Sequence, residues 1–195
     1  MTALPIVEIQ RGNLSAYIPT NLISITDGQI VLDTDLFNQD IKPAVNVGLS
    51  VSRVGGSAQT KAMKNVTGEL RLQLSQYEEV ARFARLGTEV DEATQQQIEK
   101  GTRLQEILTQ DPNNPLSLSE QVAILFATQQ GFLETLPLDK IRSFEQDLLA
   151  YLHKNNNDLM EEIELNHDLT KEMKTRLREG TDNFLNSWEE RSMAE

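Results

Sequence analysis

The sequence predicts a mixed fold: a piece of a larger α/β layer over residues 1–60, followed by an all-α helical bundle over residues 61–195. Two changes of pattern carry this division. Before residue 60, short β-rich apolar runs alternate with turn residues. After it, apolar residues recur every three or four positions, the period of one helix face. Coverage adds a third argument. Three or four short strands with few helices cannot cover both faces of a parallel sheet, so the first segment should leave apolar surface exposed.

Taken in order, residues 3–9 read as a strand. Ile18-Pro19-Thr20 reads as extended, because a residue before proline avoids the helical region. Leu22-Ile23-Ser24-Ile25-Thr26 is short, β-branched and closed by the turn signal Asp27-Gly28, and fits either strand or helix. Residues 29–32 and 45–51 are short continuous apolar runs, the pattern of buried parallel strands. Beyond residue 60, Met63, Val66, Leu70, Leu74, Tyr77, Val80 and Ala84 predict one long helix ending near Gly87, with Gly68 a weak point inside it. A second helix should run from Asp91 to about Leu108, broken by Asp111-Pro112-Asn113-Asn114-Pro115. Ser117 and Glu120 have the spacing of a capping box ahead of Val122 and Leu125. Ile141, Phe144, Leu148 and Leu152 mark another helix. Met160 and Ile163, then Met173, Leu177, Phe184 and Trp188, mark the last apolar faces, with Asn155-Asn156-Asn157 read as a loop. Five or so helices with short links predict an antiparallel bundle.

Composition excludes several function classes. The net charge is -12 over 195 residues, of which residues 1–60 contribute -2. Such a surface repels phosphate backbones, so no nucleic-acid partner is expected. With no cysteine, disulfides, thiolate metal sites and cysteine nucleophiles are out. No metal site is expected either: His153 and His167 fall in different elements and read as exposed helix-end residues. Pairs such as Glu161 and Glu162 read as solvated faces. No charged-then-apolar leader opens the chain, and no apolar run approaches the roughly 20 residues that span a bilayer. The expected place is therefore a cytoplasm-like compartment. There is no G-x-x-x-x-G-K-[ST] phosphate loop and no G-x-G-x-x-G, so autonomous ATP hydrolysis has no evident site.

One segment stands apart: Pro43-Ala44-Val45-Asn46-Val47-Gly48-Leu49-Ser50-Val51-Ser52-Arg53-Val54-Gly55-Gly56. A short apolar strand leads to two serines, an arginine and a glycine pair. This puts Arg53 at the carboxyl end of a strand, where open α/β sheets present their ligands. Its guanidinium offers a planar fork of donors matched to phosphate oxygens. The residues alone allow a second reading with equal force, an arginine that caps carbonyls or pairs with an acid.

The same segment resembles the signature of F-type ATP synthase alpha and beta subunits: proline, a small residue, an aliphatic, asparagine or aspartate, then serine-x-serine. The run Gly48-Leu49-Ser50-Val51-Ser52-Arg53-Val54-Gly55 is similar to alpha rather than beta. Ser15-Ala16-Tyr17-Ile18-Pro19-Thr20-Asn21 and Ser24-Ile25-Thr26-Asp27-Gly28-Gln29 look like the alpha segment just before it. Asp91 with Ala93-Thr94-Gln95, and Glu120-Gln121-Val122-Ala123, look like the alpha carboxyl domain. The resemblance fades after about residue 155.

The resemblance implies a RecA-like nucleotide-binding segment followed by the helical carboxyl domain of alpha. It implies a hetero-hexameric ring with beta-type subunits around a central shaft subunit, a peripheral complex on the cytoplasmic face of an energy-transducing membrane, and membrane contact only through that complex. Arg53 matches the arginine finger that alpha extends to the catalytic ATP site of beta. Ser50 matches a serine required for activity, and Ser24 one that faces the same interface. Pro43 and Gln110 match positions lining the adenine pocket of alpha's own nucleotide site. Lys42 stands where arginine is usual, and Pro112 where a second glutamine is common. The family's small barrel, phosphate loop and magnesium-site acid would precede Thr2. ATP or ADP with magnesium is thus expected only in the assembled complex, and no autonomous activity or cofactor for the isolated chain. The alternative is a non-catalytic remnant acting only as a helical interaction module; an unrelated helical scaffold fits the ordered motif blocks least.

Overall fold

The computed structural model describes residues 3–85 and 91–192. It divides into two compact units, Met1–Ala58 and Gln59–Glu195.

The first unit has little regular structure. A 3-10 turn, Gln10–Gly12, precedes helix α1, Tyr17–Ile25. Strand β1, Gly28–Gln29, pairs antiparallel with β2, Val51–Ser52, and an isolated antiparallel bridge joins Leu32 to Val45. Between these arms lies α2, Thr34–Asn38, and a second 3-10 turn, Gly55–Ala58, follows. Gly28 is required where the arms cross, because a Cβ there would lie 2.3 Å from the Val51 carbonyl oxygen.

Several sequence expectations fail here for local reasons. Residues 3–9 form no strand. Ile18-Pro19-Thr20 is helical, not extended. The first hydrogen bond of α1 runs from Thr20 N–H to Ala16, so Pro19 occupies a position whose missing N–H removes no helical bond. The ambiguous run 22–26 continues that helix to Ile25. Residues 45–51 are mostly a turn rather than a strand: the Asn46 Oδ1 accepts from Leu49 N–H at 3.0 Å, and Ser50 N–H returns to the Asn46 carbonyl at 3.0 Å. A short polar side chain has out-competed the ladder that the flanking aliphatics favour. The paired strands are antiparallel, so the parallel pattern is absent among the described residues.

The exposed apolar surface expected of this unit is present. Ile6 is 99% exposed, Leu4 85%, Tyr17 83%, Ile25 77% and Ile30 76%. The buried residues described in this unit are Pro19, Val31 and Ala44.

The second unit is all-helical: α3 Lys61–Thr67, α4 Leu70–Arg85, α5 Glu92–Leu108, α6 Leu118–Gln129, α7 Ile141–Asn155, α8 Asn157–Asn166 and α9 Lys171–Ser192. A 3-10 turn, Leu138–Lys140, leads into α7. The expected long helix is two, interrupted at Gly68 and Glu69, because α3 packs on α6 while α4 packs on α5. One straight rod cannot serve both partners, and a glycine is the inexpensive place to break it. The expected end near Gly87 lies outside the described residues. Asn155-Asn156-Asn157 is no loop but a one-residue joint. Asn156 N–H closes α7 on Leu152, and its carbonyl opens α8 by accepting from Leu159 and Met160.

The core of this unit joins Val122, Phe144, Leu148, Leu152, Ile163, Leu177 and Phe184, all at most 1% exposed. Phe144 meets Phe184 edge-on at 5.3 Å between ring centroids and Trp188 at 5.5 Å, the geometry that aromatic quadrupoles favour. The Trp188 indole donates to Asp147 Oδ2 at 3.0 Å, so its polar end is satisfied at the core's edge. The capping box at α6 forms as the spacing predicts, Ser117 and Glu120 exchanging both bonds. Glu164 on α8 adds a carboxylate oxygen 2.8 Å from Ser119 N–H, so a third acceptor meets the same helix N-terminus. His153 lies in the last turn of α7, its Nε2 at 3.0 Å from Glu120 Oε1, and His167 caps α8 in the left-handed region. Among the described residues no helix is long and apolar enough to cross a membrane, and no cluster of acidic and histidine side chains could hold a metal ion.

Candidate functional site

The candidate site grows from the two crossing arms of the first unit. Arg53 follows β2 directly, and its N–H donates to the Asp27 carbonyl at 2.8 Å, which continues the β1–β2 pairing by one step. The side chain then turns toward α1. Its Nη2 donates to the Ile23 carbonyl at 3.0 Å and to the Ser24 carbonyl at 3.4 Å. Helix α1 carries no basic residue in its own last turn. Arg53 therefore supplies, from a distant part of the sequence, the cation that a helix C-terminus favours. The side chain is exposed, and no carboxylate pairs with it among the described residues. Of the two readings the residues alone allow for Arg53, a ligand-facing fork or an arginine occupied within its own chain, the second is thus seen in its carbonyl-capping form, with no acid partner among the described residues.

Ser24 and Arg53 are brought together through the Ser24 backbone. The exposed Ser24 hydroxyl itself donates to the Asn21 carbonyl at 2.7 Å. Ser50 is half-buried. Its Oγ donates to the Asn46 carbonyl at 2.6 Å and accepts from Val31 N–H at 3.0 Å. That hydroxyl ties the turn to the opposite arm two residues before β2 ends, and so fixes the base from which Arg53 projects. Asn46 braces the same turn from below, its Nδ2 donating to Asp33 Oδ2 at 3.1 Å. Asp33 caps α2 through Asp35 N–H at 2.8 Å. The Asn46 amide, and then the Asp35 N–H, hold the Asp33 carboxyl below its ordinary range. Asn46 and Asp33 are supports to which sequence reasoning gave no role. The signal for Asn46 was present, a polar residue with turn chemistry inside an aliphatic run.

Lys42 and Pro43 join through a cis peptide bond at the start of the second arm. The Lys42 ammonium pairs with Asp40 at 2.8 Å and stands 5.0 Å from the centroid of the Phe37 ring. Hydrogen bonding to Lys42, together with its charge, lowers the fully exposed Asp40 carboxyl. Gln110 belongs to the second unit, exposed in the turn just beyond α5.

A further charged cluster in the second unit escaped the sequence reading. Arg142 donates to Glu106 at 2.8 Å and to Asp111 at 3.1 Å. Glu145, one turn along α7, is pushed up to about 7, first by burial and then by the charges of Asp111 and Glu106, with Arg142 opposing. Nothing in local spacing shows that α5 and α7 face each other here.

Comparison with known proteins agrees with both units. Residues 1–52 match the model described as the ATP synthase alpha/beta family, nucleotide-binding domain, and residues 59–184 match the ATP synthase alpha/beta chain, C terminal domain. The ATP synthase subunit alpha of Aquifex aeolicus (strain VF5) is 50% identical over 94% of this chain and 37% of its own length. The subunit of the same name from Petrotoga mobilis (strain DSM 10674 / SJ95) is 51% identical over 95% of this chain and 37% of its own. That of Acidithiobacillus ferridurans is 53% identical over 91% and 34%. The chain spans just over a third of the length of these relatives. A short nucleotide-binding-family segment followed by the helical C-terminal domain of ATP synthase alpha/beta chains is the architecture observed, and this chain belongs to the ATP synthase alpha/beta family, with alpha subunits as its relatives.

Proposed function

We propose that this chain acts as an alpha-type subunit of an F-type ATP synthase, lending Arg53 to the catalytic ATP site of a neighbouring beta-type subunit. The observation that carries the reading is the state of Arg53. Its guanidinium is exposed and bonded through Nη2 to two carbonyls, with no carboxylate neutralising it among the described residues. A planar cation held this way can meet the charge that develops on a transferring phosphoryl group. Ser50 holds the arm, and Ser24 contributes the carbonyl that orients the fork. Lys42, Pro43 and Gln110 are assigned to contacts with a bound nucleotide base, and magnesium enters with ATP or ADP only in the assembled complex.

The exposed apolar surface of the first unit supports assembly, since so much uncovered aliphatic and aromatic area is unusual for a lone chain. The partners proposed are beta-type subunits in an alternating hexameric ring and a central shaft subunit, with the whole complex peripheral to an energy-transducing membrane. The second reading, a helical interaction module without a part in catalysis, is favoured by one observation: the second unit has an apolar core of its own. Co-expression with a beta-type subunit separates the two. A stable complex of the full chain, recovered by affinity capture of beta and dependent on residues 1–58, supports the first reading. A complex formed equally well by residues 59–195 alone favours the second.

A further inference from the structure

Arg142 occupies the first turn of α7 and holds two points on either side of Gln110. Its Nε donates to Glu106 Oε1 at 2.8 Å, in the last turn of α5, and its Nη1 donates to Asp111 Oδ1 at 3.1 Å, in the turn that follows. Thr109 is anchored as well: its N–H donates to the Glu106 carbonyl at 3.1 Å and its Oγ1 to the Gln105 carbonyl at 2.9 Å. Gln110 is thus exposed between two tethered neighbours. The turn donates little of its own backbone to the bundle. Pro112 and Pro115 have no N–H, Asn113 has a positive φ of 63°, and among the described residues no N–H of 110–116 donates a hydrogen bond. At its far end Leu116 packs on the core and its carbonyl accepts from Gln121 Nε2 at 2.8 Å; at the Gln110 end the side-chain fork of Arg142 ties the turn to α7.

We propose that Arg142 is a positioning residue that fixes this turn so that the Gln110 amide is presented in one orientation to a nucleotide base. The proposal rests on the assignment of Gln110 to base contact made above. Arginine suits the role because its two acceptors lie on different segments, and a planar fork reaches both at once. A lysine ammonium satisfies one and leaves the other to water. Glu106 and Asp111 already outweigh this guanidinium, so removing Arg142 leaves their two carboxylates without a counter-charge on either side of Gln110.

The test uses the full chain and a complex containing it. In the full chain, 15N relaxation should give the Gln110 and Asp111 amides order parameters of about 0.8, falling below about 0.6 in Arg142→Ala while the core amides of α7 and α9 keep their order. Arg142→Lys should fall between. Unchanged order at Gln110 overturns the proposal, and so does a general loss of order through α7, which would make Arg142 a structural support only. In the complex with a beta-type subunit, Gln110→Ala and Arg142→Ala should each weaken magnesium-ADP binding about tenfold, the worth of one hydrogen bond, and the double variant should weaken it no further. Loss with Gln110→Ala but not with Arg142→Ala overturns the positioning role. No loss with Gln110→Ala overturns the base-contact assignment instead, and the clamp then stands or falls on the order parameters.

Discussion

Arg53 and Ile23 are joined by a hydrogen bond from Nη2 to the carbonyl oxygen at 3.0 Å, across 30 positions of sequence. The bond makes one side chain serve two ends: it closes the last turn of α1 and it aims a cation away from β2. The structural share of this is small. Arg53→Ala should cost about 0.3–1 kcal/mol of local stability, the usual worth of a cation at an exposed helix C-terminus. Amide exchange at Thr26, whose N–H closes α1 on Leu22, should quicken accordingly.

Gly101 leaves no room for a methyl group unless Tyr77 shifts. An added Cβ would sit 2.2 Å from the Cγ of Tyr77, which is itself buried and hydrogen-bonded to Gln105 at 3.0 Å. Alanine favours a helix over glycine by about 1 kcal/mol, yet overpacking costs about 1–3 kcal/mol. Gly101→Ala should therefore be neutral to destabilising by about 2 kcal/mol in urea unfolding, with the α4–α5 pair loosened. A clear gain in stability would show that Tyr77 can move aside.

Stability of the second unit should fall as pH rises from about 4.5 to about 7. Glu145 has its pKa raised from 4.5 to about 7 in the folded chain, so the folded state binds a proton that the unfolded state has released. The sign follows: this contribution is fully present below about 4.5 and lost above about 7. Asp33, Asp91 and Glu120 are shifted downward, so they act at lower pH and leave this window clear. Glu145→Gln should flatten the slope in a melting series between pH 5 and 8, taken at about half-unit steps around the neutral range. A variant that keeps the full slope would assign it to another group.

Ser117→Ala should lower the stability of the second unit by about 1 kcal/mol, because one orphan N–H of α6 loses its side-chain acceptor. Glu120 Oε2 still reaches Ser117 N–H at 2.7 Å and Glu164 Oε2 still reaches Ser119 N–H at 2.8 Å, which caps the loss. The measurement is the urea midpoint at constant slope.

The helical half was legible because its pattern is local and repeated. Asp91 caps α5, Ser117 and Glu120 form their box, and Ile141, Phe144, Leu148 and Leu152 all point inward. What the pattern missed was tertiary: the break at Gly68 arises because α3 and α4 serve different neighbours, and the Arg142 cluster exists only because α5 meets α7. In the first unit local signals misled. Pro19 sat where a helix needs no N–H, and Asn46 turned an aliphatic run that otherwise reads as a strand. The motif around Arg53 was legible as chemistry, a forked cation after a short strand. Its carbonyl partners were open alternatives until α1 was seen to end beside it.

Arg53 as a finger for a neighbouring subunit is tested most directly by ATP turnover in a complex reconstituted with beta-type subunits and this chain carrying Arg53→Ala or Arg53→Lys. Multi-site turnover should fall by about 10³–10⁵ with alanine, with lysine recovering little, while the complex still assembles at normal stoichiometry. An assembled Arg53→Ala complex that turns over within a few-fold of the unaltered one would contradict the assignment.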